Sequence, residues 1–157
     1  MEEHNKFIRR AIELASKGVK SNAGGPFGAV IVKNNVIIAE GHNSVTSVND
    51  PTAHAEIVAI RKACEKLGSF QLEDCTIYTS CEPCPMCLGA IYWARPKKVF
   101  YACTREDAAE IDFDDQFIYD EIGKNIDERQ IKFTQIMQNE ALTVFKEWQS
   151  KTDKTEY

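Results

Sequence analysis

Residues 75–87 read Cys75-Thr76-Ile77-Tyr78-Thr79-Ser80-Cys81-Glu82-Pro83-Cys84-Pro85-Met86-Cys87. The first six are rich in β-branched and aromatic side chains and contain no breaker, which marks a short strand. Prolines then flank Cys84. Proline is tolerated only in the first turn of a helix, so a helix opens here and runs to about Ala94. A strand feeding directly into a helix is the building unit of an α/β protein.

Outward from this unit the same alternation continues. Lys98 to Ala102 reads as a strand and 104–110 as a helix. Upstream, Asp50-Pro51 reads as an N-cap followed by proline at the first helical position. The helix it opens carries Ala53, Ile57, Ile60, Ala63 and Cys64 and stops near Gly68. Phe27–Lys33 and Val36–Glu40 flank Asn34-Asn35, a pair tolerant of positive φ, and so predict a tight hairpin. Residues 5–17 set Phe7, Ala11, Leu14 and Ala15 on one helical stripe, ended by Gly24-Gly25-Pro26. Toward the C-terminus, 115–123 and 140–150 read as helices, and 131–137 alternates like an edge strand. The sum is a three-layer α/β/α fold around a central mixed sheet of five strands, with 1–157 as a single domain.

Composition narrows the function. A chain of 157 residues buries roughly 70% of its unfolded surface, so it needs no metal merely to stay folded. The net charge of −5, with no Lys/Arg run longer than Arg9-Arg10 or Lys97-Lys98, argues against gripping a polynucleotide. It favours a small uncharged substrate. No apolar run approaches the roughly 20 residues of a membrane span. Met1-Glu2-Glu3-His4-Asn5 is acidic and lacks the apolar core of a secretory signal. A cytoplasmic location is expected, and the six cysteines are then thiols or metal ligands rather than disulfides.

The chemistry lies in His54-Ala55-Glu56 and, thirty residues after the histidine, Pro83-Cys84-Pro85-Met86-Cys87. Zinc takes imidazole nitrogen and thiolate sulfur in a tetrahedron, and a catalytic zinc keeps one corner for water. Cysteines three apart at a helix start reach one ion, and the helix terminus favours their thiolates. Positions two apart on a helix diverge by about 200°. His54 and Glu56 therefore share one site only if it lies at the helix end. Glu56 is accordingly read as a proton shuttle rather than a fourth ligand. Other readings remain open. Cys81 is a candidate fourth ligand that would close the site as a structural zinc, although Pro83 separates it from the helix start. Cys-x-x-Cys alone also fits a redox pair, which leaves His54 and Glu56 without a role. Cys64, Cys75 and Cys103 read as buried small hydrophobes, and His4 and His42 as surface or structural residues.

The pairing of His-Ala-Glu with Pro-Cys-x-x-Cys resembles the zinc nucleoside and nucleobase deaminases. Gly24-Gly25-Pro26-Phe27-Gly28-Ala29, Asn43, Ile91-Tyr92-Trp93-Ala94-Arg95-Pro96, Phe113-Asp114-Asp115 and Tyr157 extend the likeness to the bacterial guanine deaminases of the cytidine/deoxycytidylate deaminase superfamily. That resemblance implies one Zn²⁺ held by His54, Cys84 and Cys87, with Glu56 as catalytic residue. It places Asn43, Phe27, Ala55, Trp93, Asp115 and Tyr157 around a guanine that is hydrolysed to xanthine and ammonia. It also implies a homodimer in which a C-terminal segment of about 138–157 is exchanged between subunits. A chemical argument points the same way. Guanine presents N1–H and its 2-amino group as donors, so its site wants an acceptor such as Asp114 or Asp115. The competing readings are a tRNA adenosine deaminase, a cytosine deaminase, and a zinc-stabilised interaction module without turnover.

Overall fold

In the computed structural model, which describes residues 2–157, strand β1 (Gly28–Lys33) buries every residue but its last. Such a strand must be paired on both edges and covered on both faces. Its edges pair antiparallel with β2 (Val36–His42) and with β3 (Cys75–Cys81), and β3 pairs parallel with β4 (Lys98–Cys103). The order β2-β1-β3-β4 makes a mixed sheet. The β1–β2 hairpin turns on Asn34 and Asn35, both at positive φ (49° and 67°), as their side chains permit.

Alternation along β1 assigns the faces. Val30 and Val32 join Phe7, Leu14 and Tyr78 under helix α1 (Glu2–Lys20), while Ala29 and Ile31 join Ile77 and Cys75 on the other side. That second face is covered by α3 (Ala55–Leu67) and α4 (Pro85–Ala94), through Ala55, Ala59, Ala63 and Ile91. Ile31 and Ile77 are fully buried, each contributing about 1.5–3 kcal/mol. A Cβ at Gly41 would overlap the Ala55 carbonyl, so glycine there lets β2 run against the first turn of α3. Short helices α2 (Val45–Val48) and α5 (Arg105–Ala109) complete this unit, which ends at Asp115. The Thr104 hydroxyl and the Asp107 carboxylate close α5's N-terminus as a capping box.

A second compact unit, Gln116–Tyr157, holds α6 (Gln116–Gly123) and α7 (Gln138–Ser150), neither of which buries a residue. The fifth strand expected at 131–137 does not form; the segment is irregular. Alternation gives a segment two faces, but a strand also needs a ladder partner. Here local contacts prevail instead. Ile131 and Phe133 line a cleft with Phe117, Ile118 and Ile122. The Gln130 N–H donates to Glu121 at 2.7 Å, and the Arg129 guanidinium lies 5.6 Å from the Phe133 ring centroid. Among the described residues the sheet therefore has four strands. No helix among them is long and apolar enough to cross a membrane.

Candidate active site

The helix expected to open at Asp50-Pro51 opens at Ala55 instead. Asp50 closes a local turn, its carboxylate accepting from Thr52 N at 2.8 Å and from Thr52 Oγ1 at 2.7 Å. Such side-chain turns compete with helix formation. His54 is thus the N-cap of α3, with extended backbone (φ −68°, ψ 156°), and Cys84 is the N-cap of α4 (φ −64°, ψ 168°). Neither side chain caps its own helix. Both point instead at one spot, where His54 Nδ1 lies 3.5 Å from Cys84 Sγ and 3.6 Å from Cys87 Sγ. Because His54 precedes the helix, the 200° divergence of helical positions two apart does not separate it from Glu56.

The donor set fits zinc. The three ligand atoms all lie within 4.8 Å of one another, and the two N···S separations of 3.5 and 3.6 Å match the roughly 3.5 Å edge of a zinc tetrahedron. The Cys84 thiol is drawn down to about 4, first by a hydrogen bond from Cys87 and also by His54. Cys87 is pushed up, first by the same bond and then by burial. His54 is raised, chiefly by its bond to Cys84. Cys84 is therefore a ready thiolate, and a cation that displaces the Cys87 proton completes an imidazole and two sulfurs. Three protein ligands leave a vertex open, the pattern of catalytic rather than structural zinc. Cys81 stands outside this group. Its buried thiol donates to the Thr104 carbonyl at 3.4 Å and is raised to about 12, mainly by burial.

Glu56 is buried at 5% exposure, and burial raises its carboxyl pKa. Its Oε1 accepts from Thr79 Oγ1 at 3.4 Å and its Oε2 from Cys87 Sγ at 3.5 Å. Thr79 escapes sequence reading, yet the signal is there. It continues the alternation of Cys75 and Ile77, which face α3. Asn43, buried at 4%, accepts through Oδ1 from the backbone N–H of Gly25 and of Val45, both at 3.2 Å. Two backbone donors fix the amide's orientation, so Nδ2 is left to donate elsewhere. Phe27 packs edge-on to Phe113, with ring centroids 5.0 Å apart. Ala55 is fully buried between His54 and Glu56. Asp115 is raised, first by burial and then by the negative charge of Cys84. Trp93 is exposed on α4, and Tyr157 is exposed in the second unit.

The cysteine expectation changes, and that for His4 holds. Cys75 is buried, but Cys64 is half-buried and Cys103 exposed, because β4 is the edge strand. His4 is structural, its Nδ1 2.7 Å from the Tyr78 hydroxyl and its ring stacked on Phe100.

Comparison with known proteins places this geometry in a family. A profile of the cytidine and deoxycytidylate deaminase zinc-binding region matches residues 1–103. A guanine deaminase of Bacillus subtilis (strain 168) is 62% identical over 154 residues, 98% of this chain and 99% of that one. A tRNA-specific adenosine deaminase of Aquifex aeolicus (strain VF5) is 48% identical over 96 residues, 61% of this chain and 63% of that one. Among solved structures, guanine deaminase from Bacillus subtilis superposes with a TM-score of 0.96 at 62% identity over 98% of each chain. Guanine deaminase from Nitrosomonas europaea does so at 0.66 and 32% identity, over 69% of this chain and 63% of that one. The chain belongs to the cytidine and deoxycytidylate deaminase zinc-binding family.

Proposed function

We propose that this enzyme hydrolyses guanine to xanthine and ammonia, with one zinc held by His54, Cys84 and Cys87. The observation that carries the substrate is the reach of the similarity. The guanine deaminase match runs through 98% of the chain, whereas the Aquifex tRNA deaminase match spans 61%. The net charge of −5 also suits a free base better than an RNA.

Zinc, when bound, supplies a Lewis acid that brings the acidity of a water toward neutral. The protein's own groups do the rest. The Glu56 carboxylate takes one proton from the attacking water and gives it to the ring nitrogen beside C2. It then takes the second from the hydroxyl now on C2 and gives it to the amine, so that the C2–N bond breaks, the C2 carbonyl forms and ammonia leaves. Asn43 Nδ2 donates to an acceptor on the base, Asp115 accepts from the N1–H and 2-amino edge, and Phe27 and Trp93 wall the ring. The low polarity around Glu56 favours its protonated form between the two transfers.

The second unit supports a dimer. Its helices bury no residue while carrying Phe117, Ile122, Phe145 and Trp148 to the surface. We read 138–157 as exchanged between two copies, bringing Tyr157 to the partner's pocket. Six free cysteines and a free-base substrate suit the cytoplasm. The test is ammonia release from guanine, cytosine, adenine and a tRNA anticodon hairpin side by side. Guanine should dominate, with xanthine as product. Equal or better turnover of the hairpin overturns the reading.

A further inference from the structure

Thr79 continues the alternation of Cys75 and Ile77 on the α3 face of β3, and it is 1% exposed. A buried hydroxyl needs a partner, and this one has two. Oγ1 lies 3.4 Å from the Gly28 carbonyl oxygen and 3.4 Å from Glu56 Oε1. A hydroxyl carries one hydrogen, so both distances sit at the long end, as for a hydrogen shared between two acceptors. The strand does not require this bond, because β1 and β3 are already paired through their backbones at Ala29↔Thr79 and onward. Glu56's other oxygen meets the Cys87 thiol, which belongs to the metal set. Among the described residues Thr79 is the side-chain donor to Glu56 that lies outside that set.

We infer that Thr79 is a positioning residue for Glu56: its hydroxyl, carried by β3 and set between the Gly28 carbonyl and Oε1, fixes how the carboxyl group points into the site. The inference rests on the proposed deamination, in which Glu56 takes up and returns a proton in each turnover. The backbone of β3, paired at Ala29↔Thr79, holds Oγ1 in place, and the bond from Oγ1 to Oε1 in turn sets the direction of Oε2. No atom of Thr79 enters the reaction, and its hydrogen stays on Oγ1 throughout.

The test uses zinc-loaded full-length protein with Thr79→Val, which keeps the shape and removes the hydroxyl, and Thr79→Ser, which keeps the hydroxyl. Each is assayed on whichever base the wild type turns over fastest. A wild type inactive on guanine but active on another base overturns the substrate and leaves the role of Thr79 testable. Thr79→Val should lower kcat by about 10- to 100-fold, as loss of a hydrogen bond to a charged group does. KM and zinc content should stay within twofold, and Thr79→Ser should recover kcat to within about threefold of wild type. The second readout is thermal unfolding of Thr79→Val, Glu56→Ala and the double variant, since alanine leaves no oxygen for the Thr79 hydroxyl to meet. If the hydroxyl engages the carboxylate, the two shifts are non-additive by about 2 °C or more. Unchanged kcat in Thr79→Val, serine as poor as valine, or additive melting shifts would overturn the inference.

Discussion

His54 Nδ1 and Cys84 Sγ lie 3.5 Å apart although the two residues are thirty positions apart in sequence, and each is the N-cap of its own helix. An N-cap side chain ordinarily closes its helix with a hydrogen bond. These two leave that bond unmade and face each other across the helix ends. The partial positive charge of both termini then bears on one point, favouring a thiolate and an anionic oxygen there.

The metal set can be tested one sulfur at a time. Cys84→Ser should lose zinc and all turnover, while Cys81→Ser should keep full zinc occupancy, since the Cys81 thiol is engaged with Thr104. Elemental analysis of protein purified without chelators decides it. Equal zinc loss in both variants would make the centre a closed structural one.

Glu56→Gln removes the proton shuttle but retains shape and burial. We expect zinc retained and kcat lowered by about 10²–10⁴-fold. Zinc loss or unfolding in this variant would assign Glu56 a structural part.

Asn43 offers a sharper separation of binding from folding. Asn43→Asp keeps an oxygen for the N–H groups of Gly25 and Val45 but loses the Nδ2 donor. Its kcat/KM for guanine should fall by about 10- to 100-fold with little change in melting temperature. Asn43→Ala leaves both N–H groups unpartnered and should also cost about 1–3 kcal/mol of stability. Circular dichroism melts and steady-state kinetics on the two variants distinguish the roles.

Away from the site, Glu40 accepts from Arg10 Nε at 2.7 Å and from Nη2 at 2.8 Å. This bond holds the carboxyl below the usual carboxylate range. A pKa lower in the folded than in the unfolded chain stabilises the fold above the unfolded value. That contribution disappears as pH falls through the folded one. Both side chains are more than a third exposed or nearly so (40% and 35%), so Glu40→Gln should cost only about 0.5–1 kcal/mol at pH 7. Urea melts should show the gap between wild type and variant closing as the pH drops below the ordinary carboxylate value of 4.5. A gap unchanged by acid would mean that the charge contributes nothing.

Removing residues 154–157 tests the exchanged segment. Activity should drop while zinc content stays constant, because the three ligands all lie before Asp115. An unaffected rate would take Tyr157 out of the substrate pocket.

The sequence by itself determined the ligand types, the hairpin and the strand–helix alternation. Those depend on local properties: prolines beside Cys84, asparagines at 34 and 35, and apolar spacing along residues 5–17. It did not determine where α3 begins, since Asp50-Pro51 satisfies every local rule for a helix start. Only the folded chain shows Asp50 bonded to Thr52 and His54 at the cap. Nor did it reveal that 131–137 lacks a strand partner, because alternation is a property of one segment and a ladder a property of two. Thr79 follows the same logic. Its residue type is unremarkable, and its meaning comes from Glu56, which β3 and the first turn of α3 bring to 3.4 Å.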